Sequence, residues 1–227
     1  RHGGHSRQSG RFMTPDVLSP QSRVCAVIVA RIGDTLLATP ALRALRTASA
    51  NLTVLVHPQR AAVLGNLDFI DELGTISKHS AWYRGMVTGK RFDMAFCWGR
   101  EVRLLRYCLK TARKCIAFDY PEFSLIDDVA LVRVAVPADM SMHAVYERQL
   151  LVEAAGVQCN DPRVAYMVSV EERAAARAWL DSNIQAANPL VGFQPFSFHT
   201  KAHRDWPLQR FADLARAISK RMPCAHF

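Results

Sequence analysis

The sequence has no cysteine pair of the C-x-x-C type, and its six cysteines are scattered along the chain. It has no apolar run approaching the roughly 20 residues that cross a bilayer, and no charged-then-apolar leader opens it. We therefore expect reduced, mostly buried thiols instead of a disulfide or zinc framework, because free cysteine packs as a small hydrophobic residue. A soluble, cytoplasmic protein is expected.

The glycine-rich fingerprint of dinucleotide-binding enzymes is also missing. The first turn reads A-R-I-G-D, which lacks G-x-G-x-x-G and disfavours a nicotinamide-dependent oxidoreductase. His199 and His203 are four residues apart, but no third ligand is near in sequence, so no metal is expected. No zinc-finger, RNP-like or GXXG motif indicates nucleic-acid binding, although the net charge of +9 permits it.

What the sequence does have is ample apolar material and an uneven charge. Of its 227 residues, 50% are hydrophobic, which suits one large or two small globular domains. Residues 1–46 carry seven basic and two acidic groups, residues 199–227 carry six and two, and the middle is balanced. Basic ends attract phosphate, whether in nucleic acid, nucleotides or lipid headgroups, and charge alone does not distinguish these partners.

The stretch Val24 to Ala48 predicts a buried strand, a sharp turn and an amphipathic helix. In open α/β sheets, ligands bind outside the carboxyl ends of the strands, so Arg31, Gly33 and Asp34 stand where chemistry is usually done. The alternative for Asp34 is helix capping, since aspartate near a helix start accepts backbone N–H bonds.

The remaining pattern alternates strands with helices, which predicts βαβ units and a mainly parallel sheet. Further strands are expected at 52–57, 71–76, 92–97, 114–118 and 190–194. Helical segments are expected at 58–64, 82–87, 101–110, 143–155, 171–184 and 207–219, the last opened by Pro207 at its first helical position. The region 157–168 is loop-rich and marks a boundary.

Three segments follow from this pattern. Residues 1–22 are polar and are expected to form a disordered tail. Residues 23–168 should form the first Rossmann-like domain, and residues 169–227 should begin a second one. Because residues 188–227 suffice for only one βα unit, we expect this second domain to be incomplete, and we do not expect full activity from this chain alone.

Several stretches together resemble glycosyltransferase family 9, the ADP-heptose:lipopolysaccharide heptosyltransferases. The resemblance covers about Val24 to Ile218. Its most specific parts are the Gly33-Asp34 turn with Pro40 following it, and the loop that ends Arg204-Asp205-Trp206-Pro207. It implies a GT-B fold, in which an acceptor domain and a nucleotide-sugar domain face each other across a cleft.

The resemblance also implies an activity: inverting, metal-independent transfer of a heptose from a nucleotide diphosphate, usually ADP. Asp34 then holds the place of the family's catalytic base. Thr200 and Arg204 hold the places of its donor-phosphate contacts, although lysine is common where Arg204 stands. Lys201 and the free N–H groups after Pro207 would add charge stabilisation, because a diphosphate leaves as an anion. Arg31 and Gly33 would lie on the acceptor side.

The expected partners are a nucleotide sugar and an anionic glycolipid, with peripheral contact at the inner face of the inner membrane. A catalytically inactive interaction module and a basic nucleic-acid-binding protein remain as alternatives. Trp98 is expected to pack at a strand end. The basic residues from Arg103 to Lys114 either face an anionic acceptor or form the wet side of a helix.

Overall fold

The computed structural model describes residues 17–138, 141–184, 188–197, 203 and 205–227. The chain forms two compact units: a larger unit that ends at Met167, and a smaller unit of Val168–Phe227.

The larger unit is built on a six-stranded sheet in which every neighbouring pair is parallel. The strands are β1 (Arg23–Ile28), β2 (Asn51–Val56), β3 (Glu72–Thr75), β4 (Phe92–Cys97), β5 (Ala112–Phe118) and β6 (Leu131–Val134). Their order is β3-β2-β1-β4-β5-β6, so the predicted mainly parallel sheet is confirmed. Strand β6 was not predicted, although the sequence ALVRVAV around it is a valine-rich apolar run of strand length.

Helices lie on both faces of this sheet. They are α1 (Ile32–Leu37), α2 (Thr39–Ala48), α3 (Lys78–Val87), α4 (Val102–Thr111) and α5 (Ala144–Glu153), with 3-10 turns at Pro58–Val63 and Pro121–Phe123. Helices α3 and α4 pack together, as do α2 and α5. Because helices cover both faces, β1 is buried from Val24 to Ile28 without alternation.

The predicted helix after β1 is interrupted at Ala38, which separates α1 from α2. Pro40 has no N–H, so it cannot donate to the carbonyl of Leu36 four residues earlier. The hydroxyl of Thr39 donates to that carbonyl instead, at 2.7 Å. The break therefore leaves the Leu36 carbonyl with a hydrogen bond, and it redirects the chain after the turn that carries Asp34.

The prediction of a disordered tail over residues 1–22 is wrong for residues 17–22. Leu18 is buried, and its N–H donates to the carbonyl of Ala155 at 3.0 Å. The carbonyl of Ser22 accepts from Ala50 N–H. Residues 17–22 therefore belong to the larger unit, whereas residues 1–16 lie outside the described part of the chain.

The smaller unit contains α6 (Val170–Asn183) and α7 (Leu208–Arg221). The predicted strand at 190–194 is wrong: this segment makes one isolated parallel bridge, between Leu190 and His226. Pro207 is the residue before α7 and not its first residue. None of the described residues from 168 to 227 is buried, so the buried core lies in the larger unit.

The cysteines are free thiols, as predicted, and four of them are buried: Cys25, Cys97, Cys108 and Cys115. Burial raises the pKa of the Cys25 thiol well above its ordinary value. Cys159 is half-buried and Cys224 is exposed.

Candidate functional site

The candidate site lies at the carboxyl edge of the sheet, where the strand order reverses between β1 and β4. This reversal is the position at which doubly wound sheets leave a crevice for a ligand. Asp34 follows β1, and Trp98 follows β4. The backbone N–H of Trp98 donates to the carbonyl of Val27 at 3.0 Å. The two turns are thereby fixed side by side.

Asp34 lies in the first turn of α1, and its side chain is 42% exposed. The residue before the helix is Arg31, and no side chain caps this helix start. Capping, the alternative interpretation of Asp34, is therefore not what its carboxylate does in the structure. Its Oδ1 accepts instead from Arg148 Nη2 at 3.0 Å, and Oδ2 has no hydrogen bond from any described residue.

Arg148 is the site residue that the sequence did not predict. It comes from α5, 114 residues after Asp34, and its side chain is only 15% exposed. Its Nη1 also reaches Glu147 Oε1 at 3.4 Å. No motif surrounds Arg148, and nothing in the sequence of its helix sets it apart from the other arginines. Only the tertiary structure reveals that it pairs with Asp34.

Trp98 contributes to the site by packing, as predicted. It is 4% exposed and stacks on Phe96 with ring centroids 5.7 Å apart. Its indole N–H donates to the carbonyl of Arg148 at 2.9 Å. Trp98 thus ties the end of β4 to the backbone of the residue that holds Asp34, and it helps to fix the distance between them.

Tyr120 and Arg100 follow β5 and β4 at the same edge. The guanidinium of Arg100 lies 4.5 Å from the centre of the Tyr120 ring. Burial, with a smaller contribution from the Glu147 carboxylate, raises the pKa of the Tyr120 hydroxyl. The Tyr120 hydroxyl is therefore harder to ionise than that of an exposed tyrosine, and it can donate a hydrogen bond.

Two residues predicted for the acceptor side flank Asp34. Arg31 is exposed and precedes α1. Gly33 is exposed too, and apart from its chain neighbours and its own helix backbone no described atom lies within 4 Å of the point where a Cβ would stand. The structure thus leaves open space over the backbone beside the Asp34 carboxylate.

The residues predicted to bind donor phosphates are Thr200, Lys201 and Arg204, and they lie outside the described residues, as does His199. On either side of them in sequence, Ser197 N–H donates to Asp205 Oδ1 at 3.0 Å. Trp206 packs edge-on against Phe211 of α7, with centroids 5.1 Å apart. In the described ranges, no group of three or more histidine, cysteine, aspartate or glutamate side chains is arranged to hold a metal ion.

The basic residues of the predicted run divide between two elements. Arg103, Arg106 and Lys110 are exposed on α4, whereas Leu104, Leu105 and Cys108 on the same helix are buried. These three cations lie on the solvent-exposed side of that helix, which both of the predicted roles allow. Arg113 and Lys114 belong to β5 instead. Over the part of the chain that the structure covers, no helix has both the length and the apolar character needed to cross a membrane.

No family model and no curated protein matches the chain. Solved structures do match it. A family 9 glycosyl transferase from Veillonella parvula DSM 2008 superposes with a TM-score of 0.75 at 19% identity, over 92% of this chain and 62% of that one. Escherichia coli ADP-heptose lps heptosyltransferase II gives 0.65 at 15%, over 88% and 62%.

A third match is E. coli heptosyltransferase WaaC, solved with ADP-2-deoxy-2-fluoro heptose. Its TM-score is 0.58 at 15% identity, over 87% of this chain and 65% of that one. The chain therefore spans less than two thirds of the length of each of these three structures. The likeness shows that this chain shares their α/β fold.

Proposed function

We propose that the chain belongs to glycosyltransferase family 9 and acts in transfer of a heptose from ADP-heptose to a lipopolysaccharide core acceptor. The observation that carries this proposal is the half-exposed Asp34 carboxylate at the strand-order reversal, held through one oxygen by Arg148. The shared fold supports it, since the matching structures include two heptosyltransferases.

Asp34 is proposed to act as the general base. An acceptor hydroxyl attacks the anomeric carbon of the donor, and its proton passes to Oδ2, the oxygen that no described residue occupies. The new glycosidic C–O bond forms while the bond from that carbon to the phosphate oxygen breaks. ADP leaves with the electron pair. A single displacement of this kind inverts the configuration at carbon, and it needs only one carboxylate.

Arg148 is proposed to position this base. Its guanidinium binds Oδ1, which turns Oδ2 away from the ion pair, and its own backbone is fixed by Trp98. An arginine fork suits this task better than lysine would, because its donors are fixed in one plane. The pair therefore orients the carboxylate without blocking the oxygen that takes the proton.

Charge on the departing diphosphate is proposed to be balanced by Lys201 and Arg204, with hydrogen bonds donated by the Thr200 hydroxyl and by backbone N–H groups at the start of α7. No metal is needed in this scheme, because these groups supply positive charge and hydrogen-bond donors. Arg31 and the open backbone at Gly33 are proposed to meet the anionic glycolipid. Such an acceptor lies in a bilayer, so we propose that the protein works at the inner face of the inner membrane.

Replacing Asp34 with asparagine tests the proposal. Asparagine keeps the size of the side chain and its acceptor oxygen for Arg148, so the thermal midpoint should change little. Heptose transfer should fall by about 10²–10⁴-fold, because positioned base catalysis is lost. Transfer and ADP release are measured with ADP-heptose and a lipopolysaccharide core acceptor.

The matched control is Asp68→Asn, an exposed carboxylate of the same unit on the segment between the 3-10 turn and β3. It should leave transfer unchanged. Lys201→Ala and Arg204→Ala should raise the KM for ADP-heptose. Near-normal transfer by the Asp34→Asn protein would contradict the base assignment, and absence of heptose transfer by a protein that carries this chain with a complete second domain would contradict the proposed activity.

A further inference from the structure

Helix α3 has an unusual surface. Four of its large apolar side chains are exposed: Trp82 by 64%, Tyr83 by 53%, Met86 by 53% and Val87 by 81%. On a soluble protein, several large apolar residues exposed together on one helix indicate an interaction surface. The core does not use these residues, and neither does the candidate site.

The helix is nonetheless well formed and firmly held. Ser77 and Ser80 make a reciprocal capping box at its start. Its buried positions are Ala81 and Gly85, which are both small. A Cβ at Gly85 would lie 3.5 Å from Tyr107 Cα of α4, so the two helices approach closely along this line. Because the small residues face α4, the large ones are left facing solvent.

Basic residues predominate in the stretch of sequence that contains α3 and α4. Residues 78–110 include eight basic and two acidic side chains. Arg106 and Lys110 are exposed on α4, one turn apart. The stem of Lys110 lies 3.4 Å from the point where a Gly85 Cβ would stand, so this cation rests directly against α3.

We propose that this surface, formed by Trp82, Tyr83, Met86, Val87, Arg106 and Lys110, docks onto an anionic lipid bilayer. Tryptophan and tyrosine favour the interface between headgroups and acyl chains, and methionine and valine add apolar area that the outer acyl region can bury. Lysine and arginine beside them attract acidic headgroups. The proposed function places the protein at a bilayer, and this inference goes further by naming the surface that contacts it; the test below does not depend on the transfer chemistry.

A second exposed tryptophan provides the contrast. Trp179 on α6 is 61% exposed, close to the value for Trp82. Its helix, residues 170–183, carries three acidic and two basic side chains. An acidic bilayer should therefore attract the surface around Trp82 and not the one around Trp179.

Vesicle co-sedimentation of the whole chain tests the proposal. We expect binding to phosphatidylcholine vesicles that contain about 30% phosphatidylglycerol, weakening as salt rises, and little binding to pure phosphatidylcholine. Charge reversal with Arg106→Glu and Lys110→Glu should lower the partition coefficient by at least about tenfold, because each basic side chain near an acidic surface contributes severalfold. Trp82→Ser with Met86→Ser should lower it as well.

Trp179→Ser is the matched control and should bind as the unaltered protein does. Arg106 and Lys110 are exposed on α4, so the charge-reversed variant should fold and keeps the test valid if the Trp82 variant folds poorly. Thermal midpoints are compared for all the variants and the unaltered protein. Equal binding by the charge-reversed protein would overturn the proposal. Equal affinity for neutral and acidic vesicles would overturn it too, as would binding to duplex DNA without binding to vesicles.

Discussion

At the residue scale, the central feature is a carboxylate whose two oxygens have different surroundings. Arg148 occupies Oδ1 of Asp34, while Oδ2 has no described partner. The motif around Asp34 is local and could be found in the sequence. The partner comes from another helix, and the indole N–H of Trp98 holds the backbone of that partner. A side chain held in this way loses little entropy when a substrate binds.

Gly33 provides a test in which stability and function should change in opposite directions. Alanine has a higher helix propensity than glycine, so Gly33→Ala should raise the free energy of unfolding by up to about 1 kcal/mol. The thermal midpoint should therefore stay the same or rise. Beyond the adjacent residues and the backbone of α1, no described atom lies within 4 Å of the new methyl. Heptose transfer should nevertheless fall, with a higher KM for the acceptor, since only an approaching ligand would collide with the methyl.

Gly192→Ala is the control for this prediction, because its added Cβ would also meet open space. Kinetics and melting are measured on the same preparations. Unchanged acceptor kinetics in Gly33→Ala would mean that no substrate approaches this backbone.

At the element scale, the segment 157–167 crosses α2 and is tied to it at several points. Arg43 of α2 binds Asp161 Oδ2 at 2.7 Å and the carbonyl of Arg163 at 3.1 Å. Ala165 N–H donates to the Thr39 hydroxyl at 2.8 Å, the same group that bonds the Leu36 carbonyl. This segment therefore braces the chain break that follows the Asp34 turn.

Asp161 makes this brace sensitive to acid. Hydrogen bonds from Arg163, with a smaller contribution from Arg43, lower the pKa of its carboxyl from 3.8 to about 2. A carboxyl with a lowered folded-state pKa stabilises the fold above its unfolded-state pKa, and that stabilisation is lost as pH falls through the folded value. Asp161→Asn should therefore lower the urea midpoint at pH 5, and the difference from the unaltered protein should shrink as pH falls from about 4 towards 2.

Asp127→Asn, an exposed carboxylate elsewhere in the same unit, serves as the reference. A difference between the Asp161→Asn protein and the unaltered protein that stays constant from pH 5 to pH 2 would show that charge at Asp161 does not hold the brace.

At the scale of the whole molecule, the two units differ in what they bury. The larger unit contains the core, with Phe96, Phe118 and Phe123 fully buried. Among the described residues of the smaller unit, none is buried. Its main apolar cluster surrounds Phe193, whose ring centroid lies 5.5 Å from those of Phe211 and Phe227. Apolar burial is the main stabilising contribution to folding, so the smaller unit has less to hold it.

We therefore expect the two units to lose protection separately. Amide hydrogens of α6 and α7 should exchange earlier than those of β1 and β4, and mild denaturant should widen the gap. Exchange followed by mass spectrometry on peptides from each unit measures this. Equal protection of α7 and β4 through a single cooperative transition would contradict it.

Local pattern was sufficient for much of the fold. The bounds of β4 were predicted correctly, and β1, β2, α4 and α6 were placed to within about a residue or two, because strand and helix periodicity is a property of neighbouring residues. The prediction of a strand at 190–194 was wrong because strand formation depends on distant residues. A strand exists only where a partner pairs with it, and here one bridge forms.

The sequence by itself determined that a carboxylate would follow the first buried strand, since an apolar run, a turn and an amphipathic helix are written consecutively from Val24 to Ala48. Only the tertiary structure decided what that carboxylate contacts. The strand order places β4 beside β1, and the packing of α5 brings Arg148 across 114 residues to Asp34. Side chains so distant in the chain meet through the sum of all the packing between them, which no local pattern encodes.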